Sequence, residues 1–116
     1  MADVKQVIAV RKDLGMRKGK MIAQGAHAAL EAAERSEDPD LFKEWKQTGQ
    51  TKIAVGVDSE SQLVEIFAEA KNKELPAYLV QDAGHTELEP GTHTAFAIGP
   101  ERSQVLDHFT GNLPLL

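Results

Sequence analysis

The sequence of 116 residues contains no cysteine, which excludes a disulfide framework, a thiolate nucleophile and a metal site built on thiolates. It also has no apolar run approaching the roughly 20 residues that a membrane-spanning helix requires. The first ten residues show no charged leader followed by an apolar stretch of the secretory kind. From these absences we expect a cytoplasmic protein that does not enter a membrane.

Several catalytic and nucleotide-binding signatures are missing as well. The sequence has no GxxxxGK[ST] phosphate loop, no GxGxxG fingerprint, and neither HExxH nor GxSxG. Its histidines, at positions 27, 85, 93 and 108, lack the compact spacing of zinc ligands. We therefore expect no resident metal ion.

What the sequence does contain is an ordinary globular composition with an uneven charge. Apolar residues make up 41% and charged residues 27%, and the length suits one domain over residues 1–116. The net charge is -5, yet the first 20 residues carry six Lys and Arg against two Asp. This asymmetry indicates either an anion-binding patch on an acidic body or a chance cluster of solvated lysines.

Four strands and four helices are predicted. The strands cover residues 5–11, 52–57, 77–81 and 94–98, where β-favouring residues are bounded by charges and turns. The helices cover about 19–35, a short segment between Asp38 and Gly49, a segment capped by Ser59 and ended by Pro76, and about 101–109.

This order predicts an α/β fold. Helical crossovers imply parallel pairing of the first strand with the second and of the second with the third. The connection over 82–93 is too short for a helical crossover, so the fourth strand is expected to be antiparallel. We predict a three-layer α/β/α sandwich with a mixed four-stranded sheet.

Ligands of open α/β sheets bind beyond the carboxyl ends of the parallel strands. The topology brings one group of side chains to that edge: Lys20, Asp82, His85, Thr86 and Thr94. The first helix also begins there, and its free N–H groups suit a phosphate or a developing oxyanion.

Structural explanations of the same residues are equally available. Lys20, Gln24 and His27 continue into Glu31 and Glu34 as one polar stripe, which a solvated helix face explains. The opposite face, expected to pack on the sheet, holds Ile22, Ala26, Ala29 and Ala33. The Asp82 and threonine positions fit ordinary turn and strand residues.

The segments VIAVRKDLGMRKGKMIAQGAHAAL, GQTKIAVGV, LVQDAGHTELEPGTHTAFAIGP and TGNLPLL decide between these interpretations. Together they closely resemble the type II peptidyl-tRNA hydrolases of archaea and eukaryotes, from about Val7 to the last residue. The combination of GKxxAQxxHA and QDAGxTxxxPGTxT is specific. Since no N-terminal membrane segment precedes these blocks, the chain resembles the archaeal form.

The resemblance implies hydrolysis of the ester between a nascent peptide and the 3′ end of its tRNA, which recycles tRNA from aborted translation. It implies a homodimer and no organic cofactor. The family's functional residues correspond here to Lys20, Gln24, Asp82, Thr86 and Thr94, and the histidine of the HA pair to His27.

Ester hydrolysis needs an activated water and a stabilised oxyanion. On this basis Lys20 would supply positive charge, and Asp82 would either activate water or hold Lys20. Thr86 and Thr94 would position water or ester, and Gln24 and His27 would contact substrate or brace Lys20. The residues expected to hold tRNA phosphates, without sequence specificity, are Arg11, Lys12, Arg17 and Lys18.

Two other functions fit the same residues. One is a binding module for tRNA or protein that keeps the fold but does not turn over substrate. The other is a hydrolase of small molecules or a nucleotide binder at the same edge. Hydrolysis of a peptidyl-tRNA with a blocked amino group separates both from the main hypothesis.

Overall fold

The computed structural model describes residues 3–84 and 88–116. The predicted Thr86 and His85 lie outside this part of the chain. The elements are β1 (Val4–Arg11), α1 (Lys18–Glu34), α2 (Pro39–Gln47), β2 (Lys52–Val57), α3 (Glu60–Asn72), β3 (Ala77–Gln81), β4 (His93–Arg102) and α4 (Ser103–Thr110).

Local sequence signals account for the helix starts. Asp38 accepts a hydrogen bond from the backbone N–H of Leu41 at 3.0 Å, and proline occupies the first turn of α2. Ser59 accepts one from the backbone N–H of Gln62 at 3.1 Å, so the predicted cap of α3 is confirmed.

The sheet has the order β2-β1-β4-β3. β1 and β2 pair in parallel, whereas β4 is antiparallel to both of its neighbours, β1 and β3. The predicted mixed sheet with an antiparallel last strand is confirmed. The expected pairing of the second strand with the third is wrong, because β4 and β1 lie between them.

β4 is longer than predicted. The expected strand stopped at Ile98, with a helix from about residue 101. Instead the pairing continues to Val4 opposite Arg102, across a register shift in β1 between Lys5 and Val7. Proline is tolerated in a sheet at such irregularities, so Pro100 interrupts the ladder without ending it.

Helices cover both faces of the sheet, as the sandwich prediction requires. On one face Leu63 of α3 and Leu106 of α4 pack in a core with Phe96 and Ile98 of β4. On the other face α1 buries Ala28 and Ala32 against the sheet, and α2 contributes Leu41 and Trp45 to a further cluster that also contains Val4.

The face of α1 that packs on the sheet differs from the prediction. Its buried residues are Gly25, Ala28, Ala29 and Ala32. Ile22 is 73% exposed, and Ala26 is also exposed, so the expectation that these two pack on the sheet is wrong. The helix is turned so that positions 25, 28, 29 and 32 face the sheet, and Gly25 packs beside the Ile8 side chain.

Residues 114–116 extend the sheet at its β2 edge. The backbone N–H of Gly56 donates to the carbonyl of Pro114 at 2.9 Å, and that of Leu116 donates to the carbonyl of Ala54 at 3.0 Å. Within the described residues no helix is both long and apolar enough to cross a membrane.

Candidate active site at the carboxyl edge of the sheet

Asp82 and Lys20 form an ion pair at this edge. Asp82 directly follows β3 and is 4% exposed, and its carboxylate accepts a hydrogen bond from the Lys20 ammonium. Its other carboxylate oxygen accepts one from the backbone N–H of Gly84 at 2.9 Å. Backbone bonds with Thr92 and Gly91, at 2.8 and 2.9 Å, fix the main chain of Asp82. The carboxylate is therefore held at a defined place beside the first turn of α1.

A second polar pair lies one helical turn further along α1. The hydroxyl of Thr94, which is fully buried, donates to the side-chain oxygen of Gln24 at 2.5 Å. Residues four apart are neighbours on a helix surface, so Gln24 lies beside Lys20. The structure thus brings together Lys20, Asp82, Gln24 and Thr94, and the first half of the polar stripe faces the sheet edge.

His27 does not join this group through any contact between described residues. Its ring is exposed and lies 5.6 Å from the ring of Tyr78, between centroids. The guanidinium of Arg35 lies 4.6 Å from the centroid of the same Tyr78 ring. His27 therefore belongs to a surface cluster further along α1.

The predicted basic residues divide into two kinds. Arg17 and Lys18 are exposed at the start of α1, and Lys12 is half-exposed and lies 3.4 Å from Asp58. Arg11 is only 8% exposed, and its guanidinium donates to Asp13 at 2.6 and 3.0 Å and to the carbonyl of His93 at 3.0 Å. Because its guanidinium already donates to these protein acceptors, Arg11 is poorly placed to bind a phosphate.

Sequence reasoning missed a network of polar side chains around His93, the first residue of β4. Glu60 accepts from the backbone N–H of His93 at 3.2 Å and lies 3.3 Å from its ring Nδ1. Arg11 completes the network, 3.7 Å from Glu60. The only sequence signal for it is the position of Glu60 in the first turn of a predicted helix beside the carboxyl ends of the strands.

The charges in this network support one another. The hydrogen bond with Asp13 raises the pKa of Arg11, and the same bond lowers the pKa of Asp13. The pKa of Glu60 is lowered, first by the backbone N–H of His93 and then by its ring. All three groups are therefore held in their charged forms at neutral pH.

A cavity of about 640 Å³ opens beside Lys20. Its walls include the apolar side chains of Leu14, Met16 and Leu88 together with Arg17. Among residues 3–84 and 88–116, no three His, Asp or Glu side chains gather as metal ligands do.

The fold and the geometry of these residues are those of an α/β protein with a candidate active site at the sheet edge. A partly buried carboxylate–ammonium pair and a hydroxyl–amide pair lie at the carboxyl edge of a mixed α/β sheet, beside a cavity, which is the usual place of an active site in such folds.

Comparison with known proteins then identifies the family. The profile of the family described as peptidyl-tRNA hydrolase PTH2 matches residues 4–116. A peptidyl-tRNA hydrolase of Methanocaldococcus jannaschii is 49% identical, over 97% of this chain and 100% of its own. One of Halobacterium salinarum is 52% identical, over 97% and 99%, and one of Thermococcus sibiricus is 45% identical over all of both chains. The chain belongs to the peptidyl-tRNA hydrolase PTH2 family, and these relatives are archaeal, as the resemblance predicts.

Proposed function

We propose that this chain, as a single domain over residues 1–116, hydrolyses the ester between a peptide and the 3′ end of its tRNA. It would thereby return tRNA from aborted translation to use in the cytoplasm. The observation that carries the proposal is the Lys20–Asp82 pair at the carboxyl edge of the sheet, in a chain that belongs to the peptidyl-tRNA hydrolase family.

We assign Lys20 the role of stabilising the negative charge that develops on the ester carbonyl oxygen during hydrolysis. Attack of water on the ester carbonyl produces an oxyanion, and a fixed positive charge at that position lowers the barrier. The Lys20 side chain is 19% exposed, so it is mostly but not fully shielded from bulk water, and substrate can still reach it. Its place in the first turn of α1 adds the partial positive charge of the helix N-terminus.

Asp82 is assigned to holding Lys20 charged and in place. One of its carboxylate oxygens faces the Lys20 ammonium and the other accepts from Gly84. Because both oxygens already accept hydrogen bonds from the protein, the geometry favours orientation of Lys20 over removal of a proton from water.

Thr94 is assigned to positioning the attacking water. Its hydroxyl proton is committed to Gln24, so the oxygen lone pairs remain to accept a hydrogen bond from water. Gln24 would fix the rotamer of that hydroxyl. Thr86 keeps its predicted role in positioning water or ester on the resemblance alone, and His27 keeps a role in substrate contact outside the reacting centre.

Arg17, Lys18 and Lys12 are proposed to hold phosphates of the tRNA backbone. Such contacts carry no sequence information, which suits an enzyme that accepts many tRNAs. Arg11 is left out of this set because its guanidinium is buried against Asp13 and His93.

The test is hydrolysis of an N-acetylated aminoacyl-tRNA by pure protein, with the free aminoacyl-tRNA as the comparison. We expect release of tRNA from the blocked substrate and much slower release from the free one. Absence of cleavage of the blocked substrate would overturn the proposal and favour a binding module. Unchanged activity after dialysis against a chelator would support hydrolysis without a metal cofactor.

We also propose that two copies of the chain form a homodimer. An apolar groove of about 750 Å³ runs between α1, α2 and β2. Two of its side chains, Ile22 and Leu30, are 73% and 63% exposed, and burial of such surface stabilises an interface.

Sedimentation tests the dimer. Ile22→Asp should produce monomers, because a carboxylate in the groove opposes burial. Val105→Asp is the matched control, since Val105 is an exposed apolar residue on α4, away from the groove. A dimer that survives Ile22→Asp would contradict this interface.

A further inference from the structure

Thr94 lies at a break in the ladder between β3 and β4. Val80 is opposite Ala95, but the next pair is Gln81 opposite His93, so Thr94 has no partner in β3. An extra residue of this kind bends the strand and re-aims a side chain, and such bulges recur next to active sites. The direction of the Thr94 hydroxyl therefore depends on how the chain is held at this bulge.

The chain is held there through His93. The carbonyl of His93 accepts from Arg11 at 3.0 Å, and its backbone N–H donates to Glu60 at 3.2 Å. The ring has Nδ1 3.3 Å from Glu60 and Nε2 3.0 Å from the Gln81 side-chain nitrogen. These contacts suit the tautomer in which Nδ1–H donates to Glu60 and Nε2 accepts a hydrogen bond from the Gln81 side-chain amide.

The two neighbouring residues of β4 thus bind opposite layers of the sandwich. Thr94 bonds to Gln24 of α1, whereas His93 bonds to Glu60 in the first turn of α3. α1 and α3 pack on opposite faces of the sheet. The contacts of His93 therefore lie directly behind the candidate site and outside it.

We propose that Glu60 and Arg11 are positioning residues for the hydrolysis: they fix His93 and so aim the Thr94 hydroxyl. This inference rests on the proposed function only for its kinetic readout. Glu60 is the better residue to replace in a test, because its side chain is 49% exposed and exposed ion pairs contribute little to stability. Replacement of Arg11, which is buried, risks the fold.

The kinetic experiment compares three variants with the unaltered enzyme on N-acetylated aminoacyl-tRNA. Glu60→Ala removes the acceptor for both His93 contacts and should lower kcat about tenfold with KM unchanged, which is less than the roughly 100-fold that a 1 Å misplacement can cause. Glu60→Gln keeps a side-chain oxygen acceptor and should recover most of kcat. Glu65→Ala removes the same charge from an exposed position of α3 and should leave kcat unchanged.

A double-mutant cycle then tests whether Glu60 acts through Thr94. In a Thr94→Val background there is no hydroxyl to aim, so Glu60→Ala should add little further loss. If Glu60→Ala lowers kcat by the same factor with or without the Thr94 hydroxyl, the proposal is wrong. Equal losses in Glu60→Gln and Glu60→Ala also count against it.

A structural readout keeps this inference separate from the proposed function. In nitrogen–proton NMR spectra, Glu60→Ala should shift the Thr94 amide signal, whereas Glu65→Ala should not. An unmoved Thr94 signal overturns the positioning role even in a fully active enzyme. A moved signal in a protein that cleaves no blocked substrate supports the link between Glu60 and Thr94 and refutes the proposed function alone.

Discussion

Replacement of Lys20 by methionine tests the centre of the proposed mechanism. Lys20→Met keeps most of the aliphatic stem and removes the ammonium that faces Asp82. If that charge stabilises the oxyanion, its loss raises the barrier by about 3 kcal/mol, which corresponds to a decrease in kcat of more than roughly 100-fold.

Lys20→Met should also lower the free energy of unfolding, and an upper limit for this loss can be given. Removal of one member of a fully buried ion pair costs about 3–5 kcal/mol. Water reaches this pair, because the Lys20 side chain is 19% exposed, and Gly84 still donates to Asp82. We therefore expect a loss of about 2 kcal/mol, against a typical domain stability of about 5–15 kcal/mol. The variant should remain folded at 25 °C.

The assay is single-turnover hydrolysis of N-acetylated aminoacyl-tRNA with enzyme in excess, with urea unfolding of every variant in parallel. Lys71→Met is the matched control, because Lys71 is an exposed lysine on α3 and is not among the residues proposed to bind substrate. Asp82→Asn should lose activity to a similar extent. The double variant should lose little more than either single variant, since the two residues are proposed to act as one unit.

Two results would refute this reasoning. One is a folded Lys20→Met protein that keeps more than about a third of the single-turnover rate. The other is a Lys71→Met protein that loses as much activity as Lys20→Met, because general charge reduction would then explain the decrease.

Three further predictions follow from other parts of the structure. Charge reversal at Arg17 and Lys18 should raise KM with less effect on kcat and weaken the salt dependence of binding; a KM equal to that of the unaltered enzyme at physiological salt contradicts the phosphate contacts. Because Arg11 lowers the pKa of Asp13, that pair stabilises the fold fully at neutral pH and loses its contribution as the pH falls below about 3.8. In urea unfolding, Asp13→Asn should therefore have a lower free energy of unfolding than the unaltered protein at pH 7, and the two values should converge in acid. A difference that persists in acid would contradict this prediction. Phe96→Ala, at a fully buried position, should cost about 3–5 kcal/mol in the same measurement, and a cost below about 1 kcal/mol would disprove its place in the core.

The sequence predicted most elements because their limits are set locally. β2 and β3 have the predicted bounds, since charged and turn residues flank both. The end of β4 is set instead by its partner, because pairing with Val4 and Lys5 carries the strand past Pro100. Pairing with a distant strand leaves no local signal.

The helix face that packs on the sheet was mispredicted for a related reason. α1 is rich in alanine, so its pattern separates polar from small residues and says little about which small residues are buried. Gly25 packs beside Ile8 of the sheet, whereas Ile22 lies in the groove.

Part of the candidate site could be placed from topology alone. Lys20 and Asp82 are 62 positions apart, yet both follow from the rule that strand ends and helix starts meet at one edge. The network of Glu60 and His93 could not be found in this way. It depends on the bulge at Thr94, and neither the bulge nor the direction of His93 follows from the alternation of residues along a strand.

The order of strands has a consequence for how the protein is made. β1 emerges first during synthesis, but it is a central strand whose antiparallel partner, β4, covers residues 93–102. Until that segment has emerged, one side of β1 has no native partner, and unpaired strand edges invite aggregation. The ion pair of Lys20 likewise cannot form until Asp82 has been synthesised. A chain whose synthesis stops midway therefore has neither the complete sheet nor the candidate site.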